Sequence, residues 1–171
     1  MADINRIGFG QVEPNHLSAQ RNGQVYGQLP AAEDIKQLEN GQFVKYDYAN
    51  GECNFTGEGE WMLVMNEVKL YDTWRESYKD FALVSTNFDK GQMTPRVFKT
   101  MVGDIYTTNC LVKAGTRGQK TEGITVALKD QLSPNAQGFL ALDGDGSIVF
   151  EVVKVYTMPD GQPAVKLMRI K

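Results

Sequence analysis

Few side chains in this 171-residue chain are of a kind that does chemistry, and none falls into an order known to do it. The one histidine, His16, stands among Pro14, Asn15 and Leu17. Acid–base relays need a histidine or paired carboxylates converging in a pocket, so a lone His in such a stretch reads as a surface residue. Asp143-Gly144-Asp145-Gly146 has the composition of a calcium loop. The EF-hand pattern requires glycine at its sixth position and glutamate at its twelfth, and neither is met. A turn feeding a strong strand accounts for the same residues. The stretch from Gly115 to Thr121 holds the ingredients of a phosphate loop in the wrong order, because Gln119 interrupts the Gly-Lys-Thr core. It reads as a basic hairpin loop whose Arg117 and Lys120 can pair with an acidic surface on a partner. Glu52, Glu58 and Glu60 lie close together among glycines. A metal or glycosidase pair stays open there, since separation in space decides it, with solvated loop charge as the default. Cys53 and Cys110 fit no metal spacing and read as two reduced, buried thiols. No residue is therefore assigned as catalytic, metal-ligating or cofactor-binding, and no cofactor is expected.

The elements that position these groups read as short strands. Residues 147–157 are dense in β-branched and aromatic side chains, and residues 164–170 alternate apolar with polar. Pro159-Asp160-Gly161 between them supplies turn chemistry, so the two runs form an antiparallel hairpin. Its first arm is nearly apolar on both faces, and both are expected to be covered. Further strands are expected at 42–47, 61–71, 81–86, 96–98, 104–112, 124–128 and 138–142, separated by Gly, Asn, Asp and Pro turns. Helix formers behind Pro30 predict a short helix over 31–38, and the capping-box spacing of Thr73 and Glu76 predicts another over 74–80. The expected fold is all-β, a β-barrel or β-sandwich of about eight short antiparallel strands on typical spacing, with one or two short helices.

Residues 1–30 are poor in large apolar side chains and carry no net charge, which predicts an extended N-terminal arm preceding a β-rich domain over 31–171. Within the arm, Val25, Tyr26 and Leu29 belong to a short stretch suited to pairing as an added strand. With Arg117 and Lys120 they are the expected interface residues. Residues 31–89 hold 12 acidic and 5 basic side chains, and residues 90–129 hold 2 and 7. The simplest reading is that the two segments neutralise each other within one fold. A net charge of −3 does not suggest nucleic acid or an acidic membrane. No apolar run approaches a membrane span, and the N-terminus lacks the blocks of a signal peptide.

The run from Leu38 to Asp47 (Leu-Glu-Asn-Gly-Gln-Phe-Val-Lys-Tyr-Asp), the Asn50-Gly51-Glu52 turn, the segment from Gly103 to Asn109 and the closing hairpin together resemble small β-rich structural proteins of tailed-phage virions. The likeness is strongest to auxiliary or decoration proteins of the capsid, where a phrase of leucine, turn, glycine, apolar pair and lysine opens a small barrel. It covers the residues after Pro30 and carries no catalytic motif. The resemblance implies a non-enzymatic capsid auxiliary protein, made in the host cytoplasm and resident in the virion. Its partners would be the major capsid protein or other virion proteins and copies of itself, with no nucleic acid and no membrane. Another head, collar or tail component, or a ligand-binding β-barrel unconnected with a virion, are the alternatives.

Overall fold

A computed structural model describes residues 1–15, 17, 21, 23–66, 81–113, 115 and 123–171. The chain is all-β, in antiparallel sheets that include a half-barrel. Fifteen strands lie among the described residues: β1 (Ala2–Ile4), β2 (Val12–Glu13), β3 (Val25–Tyr26), β4 (Gln37–Glu39), β5 (Phe43–Asp47), β6 (Glu52–Asn54), β7 (Met62–Val64), β8 (Ala82–Val84), β9 (Val97–Phe98), β10 (Ile105–Thr108), β11 (Ile124–Val126), β12 (Gln131–Pro134), β13 (Leu140–Ala141), β14 (Phe150–Thr157) and β15 (Pro163–Arg169). They outnumber the eight expected, because glycine turns cut most of them to two to four residues. Among the described residues no helix is long and apolar enough to cross a membrane.

The six-stranded sheet runs β13-β12-β14-β15-β10-β2 and the five-stranded sheet runs β3-β9-β7-β5-β6, with two-stranded pairs β1-β11 and β4-β8 beside them. Side chains in a strand alternate between faces, and the register of the five-stranded sheet sorts its residues accordingly. Phe43, Leu63 and Phe98 are register partners across β5, β7 and β9. They join Tyr106, Leu132, Phe150, Val152 and Leu167 of the six-stranded sheet in the main core. Val44, Met62, Val64 and Val97 face the other way, onto a second core with Leu38 and Leu83 of the β4-β8 pair. Both faces of the β5, β7 and β9 part of this sheet are thus covered.

The closing hairpin forms as expected, with Phe150 opposite Arg169 at one end and Thr157 opposite Pro163 at the other. Gly161 takes a φ of +80° in its turn, a conformation glycine adopts without penalty. The expected cover on both faces of β14 is not found along its whole length. Phe150 and Val152 are fully buried, but Val155 is 36% exposed. The register slips between Val152 and Lys154, leaving Val153 as a bulge residue. Pairing with β12 also stops at Glu151. A bulge bends its strand, and here it marks where β14 leaves the packed core.

Two other expectations are corrected. Residues 31–38 form no helix. Ala31 makes a parallel bridge to Cys53, the Ala31 and Ala32 amides donate to the carbonyls of Met93 and Cys53, and Gln37–Glu39 pairs with Ala82–Val84. An isolated helix of two turns is marginal in water, so these tertiary partners decide the conformation. The helix expected over 74–80 lies outside the described residues.

The described residues of the 1–30 segment do not form an arm apart from the domain. Ala2–Ile4 pairs with β11, Val12–Glu13 with β10, and Val25–Tyr26 with β9. Ile4 and Leu17 are buried in the main core. The intervening chain is held by polar contacts. The Ile7 amide donates to Gln162 Oε1 at 2.7 Å, the Gln11 amide to Asn109 Oδ1 at 2.7 Å, and Thr108 Oγ1 to the Gln11 carbonyl at 2.7 Å. Arg6 forms an ion pair with Glu39, each side chain only 1% exposed. Few large apolar residues are needed because backbone pairing and buried amides do the ordering.

Candidate functional site

The described residues among those singled out from the sequence are spread over several elements. His16, Arg117 and Lys120 lie outside the described residues. Val25, Tyr26 and Leu29 are half-buried, Val25 against the main core and Tyr26 and Leu29 against the second. Val25–Tyr26 pairs within the chain to β9, at the edge of the five-stranded sheet.

Glu60 is committed to ion pairs with Arg169 at 2.6 Å and Lys99 at 3.4 Å. Lys90 likewise reaches Glu33 at 3.0 Å. Basic residues of the 90–129 segment therefore meet acidic residues of the 31–89 segment within the molecule. These contacts favour internal neutralisation of the two charged segments.

The Asp143–Gly146 stretch is a structural turn. Asp145 Oδ2 accepts the Trp61 indole N–H at 2.6 Å, and Oδ1 accepts the Ser147 hydroxyl at 2.7 Å. Partial burial pushes the Asp145 carboxyl up, but the bonds from Trp61 and Ser147 outweigh it and hold the group below its ordinary range. A Cβ on Gly144 would sit 2.1 Å from the Ser133 carbonyl oxygen, so the glycine there answers a close approach of backbone. Among the described residues no group of three or more His, Cys, Asp or Glu side chains is placed to hold a metal ion.

Cys53 and Cys110 are both buried free thiols. They belong to different apolar clusters, Cys53 to the second core and Cys110 to a small one with Val112, Phe139 and Ala141. Burial pushes each thiol up to about 12, and at Cys110 the Arg6 guanidinium only partly opposes it. The thiolate is the reactive form, and burial holds both groups in the thiol form.

A concave feature lies where the sequence pointed only weakly. The turn after β5 and the loop 56–59 enclose a cleft of about 530 Å³ whose lining includes Asp47, Tyr48, Asn50, Thr56 and Glu58. Its walls are built structure. Asn54 Oδ1 accepts the Thr56 and Gly57 amides at 3.0 and 2.6 Å. Asp47 accepts the Asn50 amide and side chain at 3.1 and 2.8 Å, and these bonds hold its carboxyl below the ordinary range. Gly57 packs so close to β5 that a Cβ would lie 2.7 Å from the Tyr46 carbonyl oxygen.

Tyr48 is 73% exposed, yet its ring meets Tyr46 edge-on at 5.6 Å, and Tyr46 meets Tyr26 at 6.2 Å. Glu58, noted in the sequence among glycines, lines this cleft, while Glu52 and Glu60 do not. Tyr48 carried no signal in the sequence, because an exposed tyrosine after a strand is common and its bracing is a tertiary fact. No protein-family model, curated protein or solved structure matches the chain.

Proposed function

We propose that this protein is a non-enzymatic structural component of a tailed-phage virion, an auxiliary protein that binds the capsid lattice through its folded surface. The observation that carries this reading is where the resemblance falls. The run from Leu38 to Asp47 spans β4 and β5 and puts Leu38, Phe43, Val44 and Tyr46 into the two cores on either side of the central sheet. The phrase shared in style with capsid auxiliary proteins is thus the framework of this domain. A lattice-binding protein works by presenting complementary surface in many copies, and a β domain with two apolar cores provides a body for that.

Attachment through a free arm no longer supports this reading, since residues 1–15 are part of the domain. Binding would use the body itself. The test is co-sedimentation of the protein with assembled particles followed by quantitation of copies. A fixed stoichiometric ratio to the major capsid protein is the expected result. Particles that lack the protein at every stage of assembly would rule the proposal out.

A further inference from the structure

The cleft beside Tyr48 has a shape and charge that define an occupant. Two exposed walls face each other across it, and neither is a loose loop, given the Asn54 and Asp47 bonds described above. One wall carries a tyrosine that is open to solvent and braced from behind by a second, buried tyrosine. Rigid tyrosines bring large contact area at low entropic cost, which is why they recur as interface anchors. The face of such a ring attracts cations.

Charge selects the same partner. Asp47 and Glu58 line the cleft and no lysine or arginine does. Glu52 is register partner to Asp47 on the neighbouring strand, outside the lining. Lys45, two residues up the strand from Asp47, is drawn over the Trp61 ring at 4.6 Å from its centre. Among the described residues, none of Asp47, Glu52 and Glu58 has an ion-pair partner within salt-bridge distance, unlike Glu33, Glu39 and Glu60.

We infer that this cleft is a docking site for a basic peptide segment of a partner protein, with a lysine or arginine side chain lying against Tyr48 and facing Asp47 and Glu58. The inference does not depend on the virion proposal, because it concerns the chemistry of the bound segment and not the body that carries it.

The experiment titrates the full-length protein, labelled with ¹⁵N, with a short arginine- and lysine-rich peptide at low ionic strength and follows backbone amide shifts. Shifts concentrated at residues 46–50 and 56–59 are expected, weakening as salt screens the charges. Tyr48→Ala is expected to weaken binding by about twofold to thirtyfold, the range of an exposed to partly desolvated cation–aromatic contact, whereas Tyr48→Phe retains it. Glu58→Gln is expected to weaken it too and to reduce its salt dependence. Both positions are exposed, and unchanged melting of each variant separates lost binding from lost fold. Shifts spread evenly over the surface, binding equal to wild type in both Tyr48→Ala and Glu58→Gln, or a neutral oligosaccharide that occupies the cleft more tightly than the peptide would each overturn the inference.

Discussion

The Arg6–Glu39 pair gives the sharpest test of how the N-terminal segment is held. Both side chains are 1% exposed. Glu39 also accepts the Gly10 amide at 2.8 Å on Oε2 and the Gln37 side-chain amide at 2.8 Å on Oε1. The Arg6 guanidinium lies 5.8 Å from the centre of the Phe139 ring and 3.9 Å from Cys110 Sγ. Replacing Arg6 with Met keeps the volume of the stem but leaves a buried carboxylate with two neutral donors. Removing one partner of a buried ion pair costs about 3–5 kcal/mol. At roughly 2–4 °C per kcal/mol for a chain of this size, melting should fall by about 6–20 °C. Glu39→Gln should also destabilise, while keeping an oxygen for Gly10. The double variant removes both charges and should lose less than the sum of the single changes, with a coupling of at least about 1 kcal/mol. Urea unfolding followed by circular dichroism and tryptophan fluorescence measures all three. If Arg6→Met falls within about 0.5 kcal/mol of wild type, the scale of an ordinary surface change, and the double variant is merely additive, the N-terminal segment is not seated as described.

Three further outcomes are expected. Phe150 touches both sheets, tilted against Phe43 and edge-on to Tyr106 at 5.5 Å each, so Phe150→Ala should cost about 3–5 kcal/mol in denaturant unfolding; a loss under about 1 kcal/mol would mean that the two sheets do not meet there. Cys53 and Cys110 should resist a thiol reagent at pH 8 in the native protein and react fully in denaturant, since burial pushes both thiols up to about 12; fast native labelling of either would show an open core. Asp145 has its folded pKa depressed, so its bond to Trp61 stabilises the fold above the ordinary carboxylate range near 4 and is lost as pH falls through the lower folded value. An acid titration of tryptophan fluorescence should show a transition below pH about 4 that Asp145→Asn removes, and a transition that persists in Asp145→Asn would assign it elsewhere.

The sequence alone determined the β class, the closing hairpin and its turn, and the positions of most strands, because these depend on short-range quantities. Pro159-Asp160-Gly161 specifies a reversal whatever surrounds it, and a period of two in Val165, Lys166 and Leu167 specifies which side is buried. The buried thiols were legible in the same way, from residue type. Tertiary structure decided what local pattern left open. Residues 31–38 had helix formers but also had Cys53, Met93 and β8 waiting for their backbone groups, and those partners are distant in sequence. Composition made residues 1–30 look like an arm, since it counts apolar side chains and cannot see that glutamines and asparagines will find buried partners such as Asn109 and Gln162. The cleft followed the same logic. Glu52, Glu58 and Glu60 are near one another in the chain, yet pairing of β5 with β6 sets Glu52 opposite Asp47, and Arg169 captures Glu60 from the last strand. Which carboxylates line the cleft with Tyr48 is set by contacts across the whole chain, and no spacing along it encodes them.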